Sequence, residues 1–146
     1  MTQGIKIIIV DDHELFRESI KLLIETDGMG EVIAEAKNGR SFLNLLETHN
    51  PDMVLMDIEM PLMDGLEATR QALEIRPGLK ILFLTIYYER IYADAMINSG
   101  ARGFVLKTCV KQELDKAIRT VIRGENYFPE EEADAIFTNK SNTKSP

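Results

Sequence analysis

The sequence predicts an open α/β domain whose five parallel strands lie in the order 2-1-3-4-5. Three observations predict it. Five short, mostly apolar runs alternate with five amphipathic stretches, the polar residues collect at the carboxyl ends of the runs, and no glycine-rich dinucleotide turn follows the first run. Right-handed crossovers then place helices on both faces of the sheet.

The apolar runs are IKIIIV (5–10), EVIAEA (31–36), DMVLMD (52–57), KILFLTI (80–86) and GFVLK (103–107). Each has strand length, and most are continuously apolar, as parallel strands covered on both faces are. EVIAEA is the least apolar and is expected at an edge. The first helix places Leu15, Ser19, Leu22 and Leu23 on one face, extended by Phe16, Ile20 and Ile24. The second uses Phe42, Leu45 and Leu46; the third Leu66, Thr69 and Leu73; the fourth Ile91, Ala95, Met96 and Ser99. In the fifth, Leu114, Ala117, Ile118, Val121 and Ile122 keep the i, i+3, i+4, i+7, i+8 spacing. Asp64 followed by Glu67 predicts a capping box for the third helix. After Pro129 the composition changes: EEEADAIF suits one short helix, its acidic start favoured by the helix dipole, and TNKSNTKSP a solvated tail.

The chain has 146 residues, the size of one domain, and a net charge of −7. That balance argues against gripping nucleic acid or an anionic membrane unaided. No apolar run reaches the roughly 18 residues of a membrane span, and the N-terminus lacks a signal-peptide pattern. A single cysteine, Cys109, excludes an internal disulfide and is expected to pack. A cytoplasmic protein is expected.

The stretch IIIVDDHELF runs a buried strand straight into Asp11 and Asp12. Two carboxylates about 4 Å apart repel by roughly 4 kcal/mol at an effective dielectric near 20. In the 2-1-3-4-5 order the first and third strands are neighbours, so Asp57 joins the pair at the crevice where ligands bind such sheets. Three clustered carboxylates hold protons or bind a cation. Lys107 can offset one charge, and a hard divalent ion offsets more; few protein carboxylates point to Mg²⁺, which keeps several waters. Mg²⁺ opposite Lys107 makes a site for a phosphoryl dianion. Thr85 can donate its hydroxyl there, and Asp57, alone on the central strand, is the best-placed nucleophile.

These residues carry a resemblance. The DD after the first strand, MDIEMPLMDG around Asp57, LTI with Thr85 and GFVLK with Lys107 resemble the receiver domain of two-component response regulators, in order and spacing over roughly residues 5–123. DDHELFRESI, GARGFVLK and ELDKAIRTVIRGENYF resemble the NarL/FixJ-type subgroup, in which a LuxR-type helix-turn-helix normally follows. The resemblance implies a flavodoxin-like (βα)5 fold. A receiver would occupy 1–128, with a short helix and linker or tail over 129–146 and the output domain absent from this chain. It implies phosphoryl transfer from a sensor histidine kinase to Asp57, a reaction of the protein on itself and not a turnover enzyme's. Asp12, Asp57 and the Glu59 backbone carbonyl would hold Mg²⁺, with Asp11 acting through water. Lys107 would hold the phosphate, and Thr85 and Phe104 would switch the face made by the fourth helix, fifth strand and fifth helix. A homodimer when phosphorylated, and DNA contact only through the absent domain, would follow.

Two positions depart from the family pattern. Ile86 stands where a small residue is usual and, with Glu59 and Tyr87, would tune dephosphorylation. Thr108 replaces a common proline, so a cis bond before it would cost about 3–4 kcal/mol. Simpler roles compete for single residues: Asp12 as a cap for the helix starting near His13, His13 and His49 as surface residues without partners, Tyr87, Tyr88 and Tyr92 as packing on the fourth helix. A haloacid-dehalogenase-type phosphohydrolase would use similar groups, but its D-x-D nucleophile follows the first strand and it carries a cap, and this sequence has neither.

Overall fold

The architecture is taken from a computed structural model that describes residues 4–86 and 90–128. The elements alternate as β1 (Lys6–Val10), α1 (Glu14–Thr26), β2 (Glu31–Ala36), α2 (Gly39–Leu45), β3 (Met53–Asp57), α3 (Gly65–Ile75), β4 (Ile81–Thr85), α4 (Arg90–Asn98), β5 (Gly103–Leu106) and α5 (Lys111–Ile122). The strands form one parallel sheet in the order β2-β1-β3-β4-β5, as predicted, with β2 at an edge. The pairing of β1 with β2 slips by one residue between Ile7 and Ile8.

Alternation along the strands divides the core in two. Ile8, Val10, Val54, Met56, Ile81 and Phe83 meet the side carrying α2, α3 and α4. Ile7, Ile9, Met53, Leu55, Leu82 and Leu84 meet α1 and α5. Every residue of β3 and β4 is buried, which explains their unbroken apolar sequences.

The helix faces correct the sequence reading in one place. Leu15 and Leu22 of α1 are 80% and 68% exposed, whereas Ile20 and Ile24 are buried, with Phe16 and Leu23 packed beside them. The apolar stripe against the sheet is therefore the Phe16–Ile20–Ile24 side. In α5, Leu114, Ala117, Ile118 and Val121 are buried as expected. The α3 cap is half a capping box: Asp64 accepts from the Glu67 N–H at 2.9 Å, but the Glu67 carboxylate pairs with Arg70 and Gln71 instead of reaching back. The side chains of Tyr87, Tyr88 and Ile91, and all of residues 129–146, lie outside the described residues. Among the described residues every peptide bond is trans, including that before Thr108.

Gly65 sets how closely α3 approaches the sheet. A Cβ there would stand 2.2 Å from the carbonyl oxygen of Asp57. That neighbour is backbone and has nowhere to go. Gly65→Ala is expected to lower the unfolding free energy by about 2 kcal/mol, read from urea denaturation. An unchanged midpoint would contradict this close approach.

Candidate functional site

Strand register gathers the polar residues. Val10 stands opposite Met56, so Asp11, one residue on, is level with Asp57. Asp57 faces Leu84, and Leu84 faces Val105, so Thr85 extends one residue beyond that row and Lys107 two. The Lys107 N–H donates to the Thr85 carbonyl at 2.8 Å, which fixes the direction of the lysine as it leaves β5. Strand spacing alone separates β1 from β5 by about 14 Å. The long Lys107 side chain spans much of that gap.

Its ammonium lies 2.7 Å from Asp11 Oδ2 and 3.4 Å from Asp57 Oδ1. It also sits 4.6 Å from the centre of the Phe16 ring, a cation–π contact from α1. Lys107 is thus held from three sides. Asp11 is 0% and Asp57 4% exposed, so neither charge is well hydrated. The Glu59 N–H donates to Asp57 Oδ1 at 3.3 Å, while Asp57 Oδ2 is buried with no hydrogen-bond partner. Burial, and then the Asp11 carboxylate, push the Asp57 carboxyl up to about 6, against the opposing pull of Lys107. One ammonium does not balance the negative charge gathered here.

Asp12 is more exposed than Asp11 and does not cap α1. The N-cap position belongs to His13, which makes no side-chain cap bond; its N–H donates to Asp11 Oδ1 at 2.8 Å. His13 is an exposed residue at the helix start, as expected, but it is not without partners. Its Nδ1 lies 3.3 Å from Asp11 Oδ1 and 3.4 Å from Asp12 Oδ1. Arg17 Nη1 donates to the Asp11 carbonyl at 2.6 Å and pins the turn after β1. Sequence reading missed His13, Phe16 and Arg17 as site residues. The only signal was their position at the N-cap and in the first turn of α1, just after the aspartates.

Acidic ligand atoms from Asp11, Asp12 and Asp57, with His13, lie within 4.8 Å of one another. The three carboxylates of this set, with an orphaned buried Asp57 Oδ2, fit a hard divalent cation. The buried Thr85, at the end of β4, helps line a pocket of about 120 Å³ together with His13, Asp57, Glu59, Ile86 and Lys107. Phe104 is placed on β5 at 1% exposure, with Phe128 against it. Cys109 packs against the α1/α5 side of the core, and burial pushes its thiol up to about 11, so it is protonated at neutral pH.

Residues 7–119 match the family model described as the response regulator receiver domain. The chain belongs to the response regulator receiver family. The receiver is 38% identical over 124 residues to the transcriptional regulatory protein DegU of Brevibacillus brevis, covering 85% of this chain and 52% of that protein. It is 37% identical to the response regulator GacA of Pseudomonas aeruginosa, covering 85% and 58%. It therefore spans a little over half the length of these curated relatives. Among solved structures it resembles a LuxR-family response regulator from Aurantimonas sp. SI85-9A1 at a TM-score of 0.85 and 29% identity, covering 93% of this chain and 96% of that one. It also resembles the receiver domain of the putative regulator NarL from Mycobacterium tuberculosis, at 0.79 and 29%, covering 84% and 99%. These relatives agree with a NarL/FixJ-type receiver. Among the described residues no helix is long and apolar enough to cross a membrane.

Proposed function

We propose that this receiver is a phosphorylation-dependent switch that accepts a phosphoryl group on Asp57 in a Mg²⁺-dependent reaction. The observation that carries the reading is the Lys107 ammonium held across Asp11 and Asp57 while Asp57 Oδ2 stays buried and unbonded. That oxygen is left for a reaction or a cation.

Asp12, Asp57 and the Glu59 carbonyl would hold Mg²⁺, with Asp11 acting through water. Bound there, the ion supplies positive charge to the oxygens of an incoming phosphoryl group. An Asp57 carboxylate oxygen attacks phosphorus, and the new O–P bond forms as the N–P bond of a sensor kinase's phosphohistidine breaks. The departing imidazole takes a proton from water. Lys107, already aimed at Asp57, holds a phosphoryl oxygen, and the Thr85 hydroxyl donates to another. Phosphorylation adds close to two negative charges, which these bonds convert into a preference for one arrangement of the end of β4 and of Phe104. The α4-β5-α5 face is the readout.

The receiver occupies residues 1–128 in this reading, and 129–146 lead to an output module. Transcription control through a C-terminal helix-turn-helix, homodimerisation of the phosphorylated form and a cytoplasmic location complete it. Several curated relatives are named as response or transcriptional regulators, which supports that output. The test is incubation with Mg²⁺ and acetyl phosphate, read by intact mass. One phosphoryl adduct is expected, and it should disappear in Asp57→Asn; an adduct that persists in that variant refutes the assignment.

Ile86 is exposed and lines the mouth of the Asp57 pocket. Its bulk obstructs the approach of water. Ile86→Ala is expected to shorten the lifetime of the phosphorylated form several-fold, about 1 kcal/mol of barrier, followed by phosphate release. An equal or longer lifetime would remove Ile86 as a control on hydrolysis.

A further inference from the structure

The chain does not leave the domain at the end of α5. Gly124 takes a positive φ of 89°, and the Glu125 N–H returns to the Thr120 carbonyl at 3.2 Å, so the helix stops in a tight left-handed turn. The next residues run along the outer edge of β5. Tyr127 forms a parallel bridge with Gly103: its N–H donates to the Arg102 carbonyl at 2.7 Å, and its carbonyl accepts from the Phe104 N–H at 3.0 Å. Arg102 reaches the Gly124 carbonyl at 3.2 Å and ties down the turn.

The side chains alternate as they do in a strand. Tyr127 packs with the α1/α5 side of the core, and its hydroxyl lies 3.3 Å from Glu113 Oε2. Phe128 packs with the opposite side, its ring 5.8 Å from that of Phe104. Gly103 makes this seat possible, because a Cβ there would stand 2.1 Å from the Tyr127 carbonyl oxygen.

Phe104 is therefore joined to this segment twice, through its backbone N–H and through its ring. We propose that residues 125–128 form a releasable strap whose seating is set by Phe104, so that the state of Asp57 reaches the chain beyond residue 128 through the β5 edge. The proposal rests on the phosphoacceptor reading above. When Phe104 shifts toward Thr85, it withdraws the ring on which Phe128 rests. The strap then loses its aromatic anchor and is held by its backbone bonds and the Tyr127 contacts.

Amide hydrogen exchange tests this on the whole chain, with Mg²⁺ and beryllofluoride as the phosphoryl mimic. Intact mass after acetyl phosphate treatment is measured in parallel. Exchange at the Tyr127 and Phe104 amides is expected to accelerate about five- to tenfold on activation, the size expected for losing one aromatic pair. In Phe128→Ala the same amides should exchange fast without activation, and the mimic should add little. Gly103→Ala, which evicts the Tyr127 carbonyl, gives the reference rate for an unseated strap. An Asp57 adduct with unchanged or slower exchange overturns the strap and leaves the phosphoacceptor standing. Acceleration of the same size in Phe128→Ala also overturns it, because the ring pair is then not the link. Absence of any adduct overturns both.

Discussion

Asp57→Asn should stabilise the metal-free protein at neutral pH by about 2–3 kcal/mol while abolishing the phosphoryl adduct. The first effect follows from the raised carboxyl. Asp57 is shifted from 3.8 to about 6 in the folded protein, by burial and by Asp11. Between those values the native state binds more protons than the unfolded chain, so stability falls as pH rises through this window. Above about pH 6 the full cost of a buried charge is present, at roughly 1.4 kcal/mol per unit. Below about pH 4 the carboxyl is neutral in both states and the advantage of Asn disappears. Urea denaturation in EDTA at pH 4 and pH 7.5 reads the difference directly. A gain of the same size at both values would mean that Asn acts through packing and not through the charge. Mg²⁺ should narrow the gap at pH 7.5, because a bound cation removes the penalty in the wild-type chain alone.

Lys107→Met should produce the opposite result. Removing the ammonium leaves Asp11 and Asp57 buried and facing each other. Breaking a buried pair by deleting one partner costs several kcal/mol; here about 3 is expected, since Asp57 can relieve part of the repulsion by taking a proton. The Asp57 carboxyl should rise further, beyond its present value near 6. Phosphoryl transfer from acetyl phosphate should slow by about 10²–10³, the scale of losing one preorganised donor to a developing charge. Met has an apolar side chain of similar length, so the loss is electrostatic and not a cavity, and the ammonium–Phe16 contact goes with it. Mg²⁺ should restore more stability to this variant than to the wild type. If Asp57→Asn in the Lys107→Met background fails to recover stability, the coupling between the two side chains is absent. The two predictions share one cause, a surplus of negative charge at the carboxyl ends of β1 and β3.

Much of this site could be read before the fold was known. Asp11, Asp57, Thr85 and Lys107 each close an apolar run, and a parallel sheet sends all such ends to one rim. The α1 face was harder because two stripes satisfied a 3.6-residue period. The crossover decides which faces the sheet, and it selected Ile20 and Ile24 over Leu15 and Leu22. His13 was missed because its contacts come from the turn after β1 and from no repeating pattern. The seat of Tyr127 and Phe128 was invisible for a similar reason: two residues carry no period, and the pairing depends on the turn at Gly124 and the bare backbone at Gly103. Asp12 could have been a helix cap or a site residue on sequence alone, and the placement of the N-cap at His13 decides against the cap.

The two borders of the sheet differ in how they meet a neighbouring molecule. At β5 the outer hydrogen bonds near Gly103 are taken by the chain's own Tyr127. At β2 no strand flanks the edge among the described residues, but the Val32 N–H is taken by Glu25 Oε2, the strand carries Glu31 and Glu35, and its pairing slips where Ile7 gives way to Ile8. An irregular, acidic ribbon is a poor template for another copy. Edge-to-edge polymerisation is thereby disfavoured, and concentrated preparations should resist fibril growth as long as both borders keep these features.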